Sequence, residues 1–388
     1  MSEKQDIRTE IDNRYYHLLM GLQTGQQAAG IEVDGHIKAE HSEQNNARRQ
    51  LLDVERMAVR DKELNARSKQ HYLDNISSIV HDEVCTRMQV KIDNIDELSS
   101  KIIGIDDGIA PIYDALAVKA ASIAKLEPLV SEIPWLTKEL MDIANSPKYR
   151  KTDRLGKVVK FENLRMALSF FGLENLKLII PSISIQRWIP KVTDPYPAFK
   201  QKVWEQIIAT ALSCRKLAEF SKVDPFHAYL LGAYHELGKI AISKMFFKFF
   251  DQVQQEAILE AHNEQKRDEH AALQEVRIDP DVWLAVMWNQ SFDITAKVLT
   301  HMNMKRVYIA NGMQELADKV PLMEMSPVAK ILEQGRCYAS YRVLKSYKLI
   351  NIEEAKDYLR TCRMPKGAVA ELKNLDVRQV TLSFAEES

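Results

Sequence analysis

The stretch "GAYHELGKIAI", residues 232–242, sets His235 beside Glu236, with Gly238 two places on and apolar residues either side. An adjacent imidazole and carboxylate are the usual beginning of a metal site. Upstream, Asp224 and Pro225 read as the N-cap and first residue of a helix, and Gly238 reads as its end. His235 and Glu236 are therefore expected in that helix's last turn, with His235 buried and hydrogen-bonded.

Working outward, apolar residues recur at helical spacing over the whole chain. Only 13 Gly and 13 Pro punctuate it, and no run of alternating strands bounded by hairpin turns is found, so the fold class is all-α. Residues 1–30 suggest a helix on Ile11, Tyr15, Leu18, Leu19 and Leu22, ended by Gly25 or Gly30. A polar connection, 31–50, follows, with a turn at Asp34-Gly35. Residues 47–70 read as a charged helix whose narrow stripe, Leu51, Val54, Met57 or Ala58, and Leu64, favours a solvated helix along one edge over a dimerising coiled coil. The stripe widens through Tyr72, Ile76, Ile79, Val80 and Val84.

Further on, Pro134 starts a helix on Leu136, Leu140, Met141 and Ala144. Asn145-Ser146-Pro147 stops it, with Asn145 suited to a left-handed cap. A basic loop (150–160) leads to "ENLRMALSFFGLENLKLII" (162–180), where Gly172 marks a helix end. Residues 203–220 give a helix with Ile207, Ala211 and Leu217 on one side. The last third continues in helices, among them 351–362 with Asn351 as N-cap and Glu353 and Glu354 in the first turn. The final "TLSFAEES" reads as a frayed tail.

The chain has 388 residues, 46% hydrophobic and 28% charged, enough to bury a core. Its net charge of −1 gives no electrostatic reason to expect nucleic acid as the main partner. The basic run at 148–160 reads as a solvated loop, and no phosphate-binding glycine loop occurs, so no cofactor is expected. Cys85, Cys214, Cys337 and Cys362 include no C-x-x-C pair and read as reduced thiols. The N-terminus has no apolar signal region. The most apolar stretch, "LKLIIPSISI" (176–185), is too short to span a bilayer and is interrupted at Pro181. A cytoplasmic protein with no membrane contact is expected. The four Phe of "MFFKFF" (245–250) cannot all share one helix face, which leaves core packing or an exposed interaction surface.

Four of these segments fall into the order of one family. "LTKELMDIANSPKYR" (136–150) looks like a helix ending in an N-S pair. "MALSFFGLENLKLII" (166–180) resembles A-x-x-x-L-G-x-x-x-L-x-x-L, with Phe171 where Leu is usual. "VWEQIIATALSCRKLA" (203–218) resembles W-x-H-S-x-x-x-A-x-x-x-x-x-L-A, and "AYLLGAYHELGKIAI" (228–242) resembles A-F-x-x-G-L-L-H-D-I-G-K. Together they resemble the HDOD domain, the HD-related output domain of bacterial signalling proteins, over about residues 90–315. The resemblance implies a helical fold related to HD-type phosphohydrolases and generally lacking conserved catalytic activity. It suggests three parts: a helical extension of unknown role (1–85), the HDOD-like domain (86–315) and a C-terminal helical extension (316–388).

HD-type hydrolases converge several His and Asp side chains on one or two metal ions. Here Glu236 stands where the motif has Asp, and Gln206 where it has His, a weak substitute toward a transition metal. His301 looks out of register, Asn311-Gly312-Met313 supplies no imidazole, and His227 reads as a surface or cap residue. His235, Glu236 and Gln206 are therefore read as vestigial positions, with no metal and no catalytic residue. The resulting expectation is a non-catalytic bacterial regulatory protein acting through contacts with a signalling protein or by sensing a small ligand, with dimerisation through the N-terminal helices as an option. The alternatives are a divergent metal-dependent phosphohydrolase acting on a nucleotide or cyclic dinucleotide, and a dimerising scaffold.

Overall fold

Helix α9 (Phe199–Ala218) is the axis around which the other elements are placed, so the description starts there. The computed structural model describes residues 6–31, 53–149, 151–152 and 158–382. In chain order before α9 come α1 (Ile7–Met20), α2 (Leu22–Ala28), α3 (Asp53–Asp93) and the single turn α4 (Ile95–Glu97), which runs into a π-helical turn, Leu98–Ile103. Next are α5 (Ile109–Ala117), α6 (Ile123–Ser131), α7 (Pro134–Ala144) and α8 (Leu164–Trp188). After α9 come α10 (Pro225–Tyr234), α11 (Leu237–Asn263), α12 (Arg267–Glu275), α13 (Pro280–His301), α14 (Ala310–Ala317), α15 (Pro327–Ser346), α16 (Ile352–Thr361) and α17 (Ala368–Asn374). The fold is all-α apart from a two-residue antiparallel ladder, β1 (Lys151–Thr152) with β2 (Val158–Val159).

Helix α9 is packed between α10 and α15 and also touches α1 and α17. Its face is lined by small residues, Ala211 and Cys214 among them, and a Cβ added at Gly335 of α15 would stand 2.4 Å from the Cys214 sulfur. Only a residue without a side chain lets α15 come this close. A second layer is formed by α11 against α13 and α3, with α8 beneath α6, α7 and α10. The buried apolar residues form one cluster that runs from Ile11 to Val377.

Several local expectations need correction. The first helix stops at Met20, Gly21 separates it from α2, and Leu22 is exposed. Pro181 does not interrupt α8, which continues through it to Trp188. By length and composition α8 meets the requirement for crossing a membrane, but 56% of its apolar window is buried in the protein. Within it Gly172 has φ +68, so the helix does break where the sequence marks an end. Asn145 is not left-handed; its side chain instead clamps Phe161, donating to the carbonyl at 3.1 Å and accepting from the amide at 2.9 Å.

The stripe on α3 is narrower than its sequence suggests: Ile76, Val80 and Val84 are buried, while Tyr72 and Ile79 are exposed. All four Phe of 245–250 are buried, and Lys248 between them is exposed. The expectation of four thiols fails at two: Cys337 and Cys362 form a disulfide with Cα atoms 6.5 Å apart, while Cys85 and Cys214 are free. Cys337 lies in α15 and Cys362 caps α16, so tertiary packing brings together residues 25 positions apart. The polar connection with its Asp34-Gly35 turn, Leu51, most of the 150–160 loop and the tail from 383 lie outside the described residues.

The divisions expected at 85/86 and 315/316 fall inside α3 and α14, and α15 beyond the second one covers α9. Cutting at 315 uncovers the α9 face that carries Cys214 and Gln206. A fragment spanning 86–315 is expected to bind a dye for exposed apolar surface and to melt without a cooperative transition. The full chain should do neither, and matching thermal transitions for the two would contradict this account.

Candidate functional site

Asp224 accepts hydrogen bonds from the amides of Phe226 and His227, and Pro225 fills the first position of α10, as the sequence indicates. The helix ends one residue before His235, however. His235 and Glu236 form the two-residue elbow between α10 and α11, and Gly238 lies in the first turn of α11. The reason Gly is present is contact rather than termination. A Cβ at Gly238 would sit 1.9 Å from the Ser291 carbonyl oxygen of α13, whose Thr295 hydroxyl accepts from the Gly238 amide at 2.9 Å.

The elbow aims both side chains inward, and each is 1% exposed. His235 Nδ1 lies 2.7 Å from the Gly232 carbonyl, which only accepts, so Nδ1 carries the proton. Its Nε2 faces Glu236 Oε1 at 3.1 Å and makes no hydrogen bond. Burial lowers the His235 pKa, against the pull of Glu236. His235 is therefore a neutral ring with a bare inner nitrogen. His81, by contrast, is a fully satisfied core histidine: Nδ1 donates to the Ser77 carbonyl at 2.7 Å and Nε2 accepts from the Asp279 amide at 2.9 Å.

A cation does stand on Glu236, and it is the protein's own. Lys239, three residues on and 1% exposed, places its ammonium 2.9 and 2.8 Å from the two carboxylate oxygens. Burial alone would raise Glu236 and lower Lys239. Lys239 reverses the first and holds the Glu236 carboxyl far below its usual range, while Glu236 reverses the second. The pair is ionised in a dry site, where removing one partner leaves a buried uncompensated charge.

Helix α1 seals this pair. The Lys239 ammonium lies 5.0 and 4.5 Å from the ring centres of Tyr15 and Tyr16, close enough for cation–π attraction. Asp12 of α1 is drawn toward Arg336 of α15; burial raises its carboxyl, and Arg336 opposes the rise. Two arginines fasten the helix. Arg14, buried, grips both oxygens of Glu354 at 2.8 and 3.0 Å and donates to the Leu349 carbonyl at 3.0 Å. Arg8 donates to Glu333 and to the hydroxyl and carbonyl of Thr361 at 2.9–3.0 Å. Glu354 is also the reciprocal partner of Asn351 in the capping box of α16, so one carboxylate serves helix start and lid.

The other sequence-derived positions are dispersed. Gln206 is buried, but its amide donates to Ser340 of α15 at 3.0 Å, leaving Oε1 without a partner. Glu205 accepts from the Tyr347 hydroxyl at 2.8 Å. His301 pairs with Asp96 at 3.5 Å at the edge of the fold. His227 is half-buried beside Tyr308, and Met313 is in the core. Among the described residues no group of three or more His, Cys, Asp and Glu converges as a metal would require. The His235 nitrogen and the Glu236 carboxylate are two donors, and what closes the site around them is the Lys239 ammonium and two tyrosine rings. These residues do not fit a metal ion.

The sequence reading missed Lys239, Asp12, Tyr15, Tyr16 and Arg336 as members of the site. Only Lys239 carried a signal, since Glu236 and Lys239 stand at the i, i+3 spacing of a helical ion pair.

A model of the HDOD domain family matches residues 105–304. No curated protein matches the chain. Among solved structures, one from Shewanella amazonensis SB2B, described as "Putative phosphohydrolase", is similar at 16% identity over 74% of this chain and 94% of that one, with a TM-score of 0.47. One from Marinobacter aquaeolei VT8, described as a "Putative signal transduction protein", is similar at 17% identity over 69% of this chain and 58% of that one, with a TM-score of 0.39.

Two outcomes are expected from this geometry. Glu236→Gln should destabilise the protein by about 3–5 kcal/mol, because Lys239 is left charged and buried, and Glu236→Gln with Lys239→Met should recover part of that loss in urea unfolding. Acid should also destabilise it. Below the ordinary histidine pKa of about 6.5 the unfolded chain takes up a proton that folded His235 resists, so stability falls as pH drops; Glu236 adds to the loss below its usual value of 4.5. In His235→Asn the decline of melting temperature between about pH 7 and 5 should be shallower than in wild type.

Proposed function

The chain belongs to the HDOD family, and from that membership we propose that it is a non-catalytic regulatory protein of bacterial signal transduction, acting through protein–protein contacts. One observation carries the reading: the position on Glu236 where a catalytic metal would be held is filled by the Lys239 ammonium, at 2.8–2.9 Å on both oxygens. Phosphoryl chemistry in HD-type enzymes needs a metal to polarise the phosphoryl oxygen and lower the pKa of water. A lysine pinned between a carboxylate and two tyrosine rings does neither.

The same packing argues against a small ligand in this cleft. Tyr15, Tyr16 and Asp12 occupy the approach, and α1 is fastened there by Arg8 and Arg14. What the protein offers a partner is then its outer surface. We read it as cytoplasmic, with α8 a core helix and with α1 and α15–α17 as extensions that close the HDOD core.

The test uses the full chain with added Mn or Fe against cyclic dinucleotides and nucleoside phosphates. Wild type and His235→Ala should both stay at background. His235→Ala should lose about 1–3 kcal/mol of stability, because the Gly232 carbonyl is left unpaired in the core. Metal-dependent turnover by wild type, abolished in a His235→Ala protein of near wild-type stability, would establish the phosphohydrolase reading instead.

A further inference from the structure

Helices α15, α16 and α17 bound a groove of about 1220 Å³. That exceeds the roughly 300–1,000 Å³ of sites that enclose a small ligand. Its floor is apolar, made by Ile350, Leu359, Met364 and Val369, all half-buried, with Ile352 standing 75% exposed at one side. Its rim is basic: Lys345, Lys356, Arg360, Arg363 and Lys373 line it, all exposed, against one lining carboxylate, Glu353.

The positive charge is only partly answered from within. Lys356 pairs with Glu353 and Arg360 with Asp357, each at 2.9 Å across one helical turn on the surface, where such pairs contribute little. The Lys345 ammonium lies 3.0 Å from the Tyr341 hydroxyl, a neutral partner. Arg363 and Lys373 have no carboxylate partner among the described residues. An apolar floor inside a charged rim is the anatomy of a protein interface, and the excess of one sign selects a partner of the other.

We propose that this groove docks an acidic peptide segment of a partner protein, with large apolar side chains seated on Ile350, Leu359, Met364 and Val369 and carboxylates on Arg363, Lys373 and Lys345. The proposal rests on the reading of the chain as a module that works by protein contact, and it identifies the surface and the chemistry of that contact. A helical segment with apolar anchors on one face and acids beside them satisfies both features at once. The sealed Glu236–Lys239 cleft has no part in it.

The experiment is selection of a random peptide display library on the full chain, followed by measurement of one enriched peptide by fluorescence anisotropy. Enriched sequences should be net acidic and carry at least one large apolar residue. The affinity of the chosen peptide should fall at least about tenfold in Arg363→Glu/Lys373→Glu and weaken as salt is raised, since screening shortens the reach of rim charges. Arg363→Gln/Lys373→Gln, which removes charge without reversing it, should give an intermediate loss, with thermal melting unchanged in both variants. Enrichment without acidic bias, or equal binding to the charge-reversed protein, would overturn the proposal. So would an absence of enriched peptides together with binding to phosphatidylserine vesicles through the same residues, which would make the groove a membrane-facing surface. Turnover in the phosphohydrolase assay would remove the non-catalytic reading while leaving these binding outcomes as they are, so the two failures are separable.

Discussion

An ionised carboxylate and an ammonium buried together constrain everything around them. Glu236 and Lys239 are each 1% exposed, and charges in such a place are tolerated only with close partners and little room for water. The elbow after α10 delivers Glu236 to the interior, the first turn of α11 delivers Lys239 to it, and Gly238 between them lets α11 lie against α13. What remains open is the side facing α1. Two tyrosine rings from that helix close it, offering the ammonium a polarisable surface rather than competing acceptors.

This arrangement explains why the terminal extensions behave as parts of the core. Helix α1 would be a marginal helix alone, at 14 residues. It is held by the bidentate Arg14–Glu354 contact and by Arg8 on Glu333 and Thr361, which tie it to α15 and α16. Those two helices are in turn joined by the Cys337–Cys362 disulfide and pressed onto α9 at Gly335. The lid, its anchors and the element under them form one connected structure around the family's motif.

The positions of Gln206 and His235 follow from the same packing. Gln206, where the family motif has an imidazole, turns to Ser340 of α15. His235 keeps its bond to Gly232 and a bare nitrogen toward Glu236. The site is occupied by an internal ion pair and is sealed from the outer surface. On that surface the basic, apolar-floored groove of α15–α17 is separate from the motif that identifies the family.

The amino-acid sequence by itself determined the class of the fold, the helix starts at Asp224-Pro225, Pro134 and Asn351, the break at Gly172 and the membership of the HDOD family. These depend on local properties: periodicity, caps, a missing Cβ, and residues in order along the chain. Tertiary structure decided the rest. Gly238 reads locally as a helix end because glycine ends helices, whereas its role is set by the Ser291 carbonyl of a helix more than fifty residues away. Asp12, Tyr15, Tyr16 and Arg336 carry no motif, and they join the site only because α1 and α15 fold over it. Cys337 and Cys362 likewise meet only through packed helices. Burial and partner are properties of three-dimensional neighbours, and whether Glu236 holds a metal or a lysine depends on them rather than on the HELGK string.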